Sequence, residues 1–463
     1  MLQPTTTTAA SGPRHSQLPP NAPGGNILLG GARAFQRDTL KFIQTLAAMG
    51  DVVRYRFVVW PTYFVNHPDY IKHVLQENYR NYNKDVPINR ILKSVLGNGL
   101  ITNDGSSWLH QRRLIQPAFH RQRIAAFGAL MTATATEMLQ QWDTRAEGDA
   151  VLDVADEMMG LTLRVVGLAL FGADMGREVD TVGRSFTTLN DFLTHAAYQP
   201  YIMFPGVPAR GKRQSQAARR ELDQVVYQLI AARRADGADR DDLLSMLLHA
   251  RDEETGASMN DHQLHDEVIT LLLAGHETTA VALTWTWCLL SAQPEVEARL
   301  HAELGATLGG HSPTTDDLPN LPYTRMVVEE TLRLYPPVWS ILRRAIGGDQ
   351  IGPYAVPAGT SIFISPYAVH RHPAFWEDPE AFDPERFTPE RSAGRPHFAY
   401  VPFGGGPRQC IGNIFALTEA QLILATVAQR YRLRVLPGYQ VKPNPLITLR
   451  ARGGLPMQLE RVS

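Results

Sequence analysis

The amino-acid sequence predicts a mainly α-helical fold with a minor β portion, assembled as one large domain. Three observations predict it. The chain from Trp108 to about residue 292 reads as mostly helical, with breaks at "RAEGDA", "QPYIMFPGVPARGK" and "RADGADRDD". Strand-like runs are short and lie at 52–66, 350–367 and near the C-terminus. No internal repeat appears, and no linker is long enough to divide the 463 residues.

The elements follow in order. "MLQPTTTTAASGPRHSQLPPNAPGG" is polar and rich in Thr, Pro and Gly, which predicts a disordered segment over 1–25 before a single domain over 26–463. It has no apolar core preceded by positive charge, so no signal peptide or membrane anchor is expected. "VVRYRFVVWPTYFVN" predicts two short strands broken at Trp60-Pro61, and "HPDYIKHVLQEN" a helix. "YRNYNKDVPINRILKSVLGNGLITNDGSS" reads as loop. The run "VITLLLAGHETTAVALTWTWCLL", 268–290, is long enough to cross a bilayer. His276 and Glu277 at its middle favour a buried central helix instead. "YTRMVVEETLRLY" predicts a helix stopped by Pro336-Pro337. "HRHPAFWEDPEAFDPERF" holds too many prolines and charges for a regular element, and "ALTEAQLILATVAQRY" predicts the last helix.

Hydrophobic residues make up 44% and charged residues 20%, ordinary for a globular chain long enough to enclose a large cofactor. The net charge of -1 gives no reason to expect nucleic acid or an anionic membrane as partner. There are two cysteines. Cys288, in "WTWCLL", reads as a small buried hydrophobe, and nothing suggests a disulfide framework, so a reducing cytoplasm is expected.

Cys410 is different, because it sits in the glycine-rich turn "FGGGPRQCIG". Backbone N–H groups of the turn, the charge of Arg408 and the start of a following helix all favour a thiolate. Zinc would need three more ligands, and no second Cys or close His pair accompanies this one. The C-x-x-C-H of c-type haem attachment is absent. A cysteine protease would have no use for the glycines. One sulfur on one metal fits best, and haem iron accepts a single Cys ligand.

F-x-x-G-x-R-x-C-x-G resembles the haem-ligand loop of the cytochrome P-450 family, with Phe403, Gly406, Arg408, Cys410 and Gly412 in place. Thiolate ligation of iron is that family's known chemistry. Further motifs resemble the family at the right distances. "EETLRLYPP" carries E-x-x-R, so Glu330 and Arg333, with Arg386 of "DPERF", imply the structural triad beneath the haem. "AGHETT" is similar to the family's distal helix motif, which implies Ala274 over the haem and Glu277 and Thr278 as the acid–alcohol pair that handles protons. Ala274, Glu277 and Thr278 share a helix face by spacing alone. "WLHQR" is similar to W-x-x-x-R, which implies Trp108 and Arg112 as donors to a propionate. Arg344 of "LRRAIGGD" matches a further propionate-binding arginine, Arg343 being its ambiguous neighbour, and Arg408 completes the set. The resemblance runs from about Val52 to the C-terminal "PLITLRARGGLPMQLE".

The resemblance implies haem b, with Cys410 as iron ligand. It implies a monooxygenase that inserts one oxygen from O2 into a small hydrophobic substrate, a fatty acid, terpenoid or similar. Pocket walls are expected at Val86 to Leu92, Phe192 to Phe204, Ala274, Val338 to Ile341 and Leu446-Ile447. No flavin or iron–sulfur domain is attached, so electrons would come from a separate ferredoxin or flavodoxin with an NAD(P)H reductase, docking near Arg113, Arg121 and Arg123. A soluble cytoplasmic monomer is expected. Two alternatives stay open, a peroxide-using peroxygenase and a non-catalytic haem sensor or carrier. The first would be expected to lack the Glu277–Thr278 pair, and the second would not need it.

Overall fold

A computed structural model describes residues 17–23, 30–145, 150–172, 179–198, 211–237, 242–251, 256 and 258–462. Eleven helices of ten residues or more stand among them. They are α1 (Thr39–Met49), α2 (Pro87–Leu96), α3 (Gly105–Ile115), α4 (Arg121–Arg145), α5 (Val154–Phe171), α6 (Val179–Tyr198), α7 (Lys212–Asp236), α8 (Asp261–Ala292), α9 (Pro294–Leu308), α10 (Pro322–Leu334) and α11 (Asn413–Ala428). The connection after α6 lies mostly outside the described residues, and the one after α7 carries a short helix, Leu243–His249.

Helix α8 is the axis of the helical layer. Asn260 caps it by accepting from Gln263 N–H, and Gln293-Pro294 ends it. It is the one described helix long and apolar enough to cross a membrane, and most of it is buried inside the protein. It packs on α5, α10, α11 and the strand Tyr431–Val435. Its surface therefore meets protein or an interior cavity rather than solvent, which accounts for the weak amphipathicity of "VITLLLAGHETTAVALTW".

The largest sheet has five strands: β1 (Val52–Phe57), β2 (Trp60–Val65), β3 (Tyr82–Asn83), β4 (Ile341–Ala345) and β5 (Ser361–Ile364). Their order across the sheet is β1-β2-β5-β4-β3, with β2 parallel to β5 and the other pairs antiparallel. It sits beside the helical layer and carries β4 to the cavity described below.

Three expectations need correction. The break between β1 and β2 is the turn Val58-Val59, with Val58 at φ 57°, and Pro61 lies inside β2 opposite Arg56. The stretch read as loop contains α2, which starts with Pro87 in its first turn, where a missing N–H costs nothing. The boundary at residue 25 is too late: Gln17 N–H donates to Pro353 O at 3.2 Å, and Arg54 N–H to Pro20 O at 2.9 Å. Residues 1–16 lie outside the described residues.

Glu330, Arg333 and Arg386 meet in the interior. Glu330 and Arg333 are wholly buried. All five N–H donors of Arg333 are used. Nε donates to Glu330 Oε2 at 2.6 Å and Nη2 to Glu330 Oε1 at 2.8 Å. The others reach the carbonyls of His370 (2.9 Å), Pro379 (2.7 Å) and Ala381 (2.9 Å). Arg386 Nε lies 3.3 Å from Glu330 Oε1, at ion-pair distance but without hydrogen-bond alignment. His370 extends the cluster. Its Nδ1 contacts Arg333 O at 3.1 Å, and its Nε2 accepts from Val401 N–H at 2.8 Å, which assigns the neutral Nδ1–H tautomer. Burial, with the Arg333 charge behind it, pushes the His370 pKa down to about 3.

Removing one member of a buried ion cluster strands the rest, at a cost of about 3–5 kcal/mol. Glu330→Ala should therefore melt far lower than the parent, and an unchanged thermal midpoint would reduce the cluster to an incidental contact. His370 gives a pH signature. Its folded pKa lies below the ordinary value near 6.5, so below that pH the unfolded chain binds the extra proton. Stability should fall as pH drops from 6.5 toward 3, by up to about 1.4 kcal/mol per unit. Thermal midpoints of His370→Gln should fall less steeply across that window; parallel curves would remove His370 as the cause.

Candidate active site

A cavity of about 580 Å³ lies between α8, α2, β4, the Phe403–Gly412 loop and the start of α11. Cys410 is on its wall. The loop that carries it is irregular and held by backbone contacts. Cys410 N–H donates to Phe403 O at 2.9 Å. Gly406 has φ 65°, and a Cβ there would fall 1.9 Å from Leu75 O, so only glycine allows the close approach of these two backbones. Gly412 precedes the first residue of α11.

The Cys410 side chain is exposed to the cavity while protein surrounds it beyond. Burial pushes the thiol pKa up, opposed by Gly412 N–H and the Arg112 charge. The turn amide acts as the sequence suggests, but the cation acting on the sulfur is Arg112 rather than Arg408. A coordinating metal reverses this balance, because a coordinated thiol is deprotonated outright.

One end of the cavity is cationic. Lys84, Arg112, Arg343 and Arg408 all line it, with Trp108 among them. Arg408 lies 3.8 Å above the Trp108 ring, donates to Asn103 O at 2.9 Å and bonds Asp104. Arg112 donates to Gln409 O at 2.9 Å. Lys84 Nζ donates to Ile101 O at 2.6 Å, and Arg343 to Leu342 O at 2.9 Å. Asp104 is the one carboxylate bonded to any of the four among the described residues. Burial pushes Arg343 down to about 10, with Arg408 adding repulsion. Burial also drives the Lys84 ammonium well below its usual range, with Arg343 and Arg408 contributing. Such a surplus calls for anions. The donor set fits haem b, with one sulfur for the iron and unspent cations for two propionates.

Arg344 does not belong to this set. Successive side chains of β4 point to opposite faces, and Arg344 is on the outer one, 3.0 Å from the exposed Asp85. Arg343, its neighbour, lines the cavity instead. Lys84 was missed altogether, because an isolated lysine in a polar loop gives no signal.

Over the opposite wall, α8 presents Ala274, Glu277 and Thr278. Thr278 Oγ1 donates to Ala274 O at 2.8 Å, one turn back. Glu277 Oε1 accepts from Asn190 Nδ2 (2.8 Å), Thr448 Oγ1 (2.6 Å) and Arg450 Nε (2.9 Å), and Arg450 Nη2 is 2.7 Å away. Its Oε2 has no protein partner among the described residues. Neither Arg450 nor Asn190 was foreseen, since each lies more than 80 residues from Glu277.

Of the walls expected from sequence, Val86 to Leu92, Ala274, Val338 to Ile341 and Leu446-Ile447 supply cavity residues. Of Phe192 to Phe204, residues 199–204 lie outside the described residues, and Phe192, Leu193, His195 and Ala196 do not line the cavity.

A family model described as "Cytochrome P450" matches residues 19–454. Cyclooctatin synthase of Streptomyces melanosporofaciens is 41% identical over 93% of this chain and 93% of its own length. Cyclooctat-9-en-7-ol 5-monooxygenase of the same organism is 40% identical, covering 92% and 93%. Pentalenene oxygenase of Streptomyces avermitilis is 35% identical, covering 94% and 96%. Among solved structures, the cytochrome P450DA haem domain superposes with a TM-score of 0.87 at 26% identity, covering 97% of this chain and 98% of that one.

The two arginines of β4 separate by experiment. Arg343→Ala should lower haem per chain after gel filtration. Arg344→Ala loses only an exposed ion pair, worth about 0–1 kcal/mol, and should keep full haem. The reverse outcome would return the role to Arg344.

Proposed function

The chain belongs to the cytochrome P450 family and is a haem b monooxygenase, and we propose that it oxidises terpenoids with Cys410 as its iron ligand. The observation that carries the site assignment is the cavity itself. A lone cysteine lines it together with four basic residues and an acid–alcohol pair carried by α8. The terpenoid reading rests on relatives named for cyclooctatin, cyclooctat-9-en-7-ol and pentalenene, and on a wall built from Leu92, Leu96, Leu100, Leu271 and Leu273.

Bound haem supplies the iron at which O2 is reduced and from which one oxygen enters a C–H bond, the other leaving as water. The protein's residues arrange the rest. Trp108, Arg112, Arg343 and Arg408 would hold the propionates. The apolar wall excludes water and orients the substrate by shape. Thr278 Oγ1, already donating to Ala274 O, keeps its lone pairs for accepting a proton donor on the cavity side. Glu277 is anchored through Oε1, which leaves Oε2 to pass protons toward Thr278.

The reaction takes a substrate, O2 and two electrons from a redox partner. A ferredoxin or flavodoxin with an acidic face would suit the depression beside Cys410 lined by Arg112, His120 and Arg121. A monomer suffices, because one chain supplies every group named. Helix α8 is buried inside the protein rather than offered to a bilayer.

Thr278→Ala tests the mechanism. It should fold, load haem and consume NAD(P)H through added partners, while product per NAD(P)H falls several-fold and peroxide rises. Coupling equal to the parent on several substrates would take Thr278 out of the mechanism. Parent turnover with peroxide that outpaces the reductase system would favour a peroxygenase.

A further inference from the structure

Helix α8 carries threonines at 270, 278, 279, 284 and 286. Four return their hydroxyl to the carbonyl one turn back. The bonds are Thr278 to Ala274 (2.8 Å), Thr279 to Gly275 (3.3 Å), Thr284 to Ala280 (2.7 Å) and Thr286 to Ala282 (2.9 Å). Thr270 does not. Its Oγ1 is sealed and has no hydrogen-bond partner, yet the residue is part of the cavity wall. Among the described cavity residues it is the only one with an orphaned, sealed side-chain atom.

The surroundings of this hydroxyl are shaped for it. It packs against Gly99, where a Cβ would fall 2.1 Å from Oγ1. One turn earlier on α8, Glu267 faces the same loop. Glu267 Oε2 accepts from Leu100 N–H at 2.9 Å, and its Oε1 is also orphaned. Burial pushes the Glu267 carboxyl up to about 8, with Asp266 adding repulsion, so near neutrality it can both donate and accept. Native interiors leave few such atoms unpaired, because each loses its hydration and regains nothing. Two stand here a single turn apart, Thr270 on the cavity wall with Leu96, Leu100 and Leu271, and Glu267 outside that lining.

We propose that Thr270, with Glu267 behind it, anchors an oxygen already present on the substrate, so that the enzyme accepts a terpenoid alcohol in preference to the parent hydrocarbon. The carbon skeleton in this statement rests on the terpenoid reading above; the anchor does not. Threonine in a helix divides between two χ1 rotamers, and anchoring requires the one that turns the hydroxyl away from Gly99. The hydroxyl is unpaired before binding, so an alcohol gains a hydrogen bond that a hydrocarbon cannot supply. Thr270 and Thr278 are eight residues apart, about 12 Å along the helix. The existing oxygen and the carbon to be oxidised are therefore at opposite ends of the substrate. The supplying reaction is one that installs a hydroxyl on the skeleton, by water capture at the end of a cyclisation or by an earlier hydroxylation. The step here turns C–H, O2, two electrons and two protons into C–OH and water, and its product is a diol.

The test titrates holoenzyme with matched pairs, a cyclic terpenoid hydrocarbon with its monoalcohol and a linear hydrocarbon with its alcohol. Binding is read by the spin-state absorbance shift and by calorimetry. The parent should prefer the alcohol by about tenfold, the worth of one net hydrogen bond. Thr270→Val should keep hydrocarbon affinity and bring the ratio close to one, while Thr270→Ser keeps the preference. If Thr270→Val loads no haem, Thr270→Ala carries the same reading. An unchanged ratio in Thr270→Val, no preference in the parent, or a loss in Thr270→Ser equal to that in the valine variant would each overturn the anchor. If only the linear pair binds the parent, the terpenoid skeleton is wrong. The anchor then stands or falls on whether the linear ratio depends on Thr270. Binding of neither pair overturns both.

Discussion

The fold depends on one buried guanidinium. Arg333 spends all five donors, two on Glu330 and three on carbonyls of the segment that runs from His370 to Ala381. That segment is too rich in proline to satisfy its own backbone, and buried carbonyls without partners are costly. The arginine supplies those partners from a helix. His370 then carries the constraint onward, holding the carbonyl of Arg333 on one ring nitrogen and the amide of Val401 on the other. Val401 opens the loop that carries Cys410. The sulfur is thus positioned by a charge cluster that never touches it.

The cavity divides its chemistry by position. Its cationic end is unstable on its own terms, since four basic groups are gathered from α3, β4 and two loops with one bonded carboxylate among them. A bound dianionic cofactor resolves that repulsion, so haem binding and folding reinforce each other. Its hydrocarbon lining is interrupted on α8 by the clamped carboxylate of Glu277 and the hydroxyl of Thr278, with Thr270 sealed beside them. All three residues sit on α8, which α5, α10 and α11 pack against.

Much of this was legible in the sequence, and the parts that were not share a cause. Cys410, Arg408, Trp108, Glu330 and Arg333 announce themselves because their partners are fixed by short local spacing. The choice between Arg343 and Arg344 could not be made that way. Both neighbours are arginine, and the phase of β4 is set by its pairing with Ser361 and Ile362. Helix α2 was hidden by the polar stretch around it, although Pro87 in its first turn was a usable signal. Lys84, Asn190 and Arg450 become site residues only through tertiary contacts. Thr270 looks like any helical threonine until its four fellows are seen to bond back and it is not.

Gly406 sets a boundary for anyone who would reshape this enzyme. Its backbone meets that of Leu75 with no side chain between them, and the atom a Cβ would strike is a carbonyl oxygen that cannot swing aside. Libraries that diversify α2 or the 338–341 segment work on side chains with room to exchange. A library that includes position 406 would spend its members on chains whose cysteine is displaced before any substrate is offered.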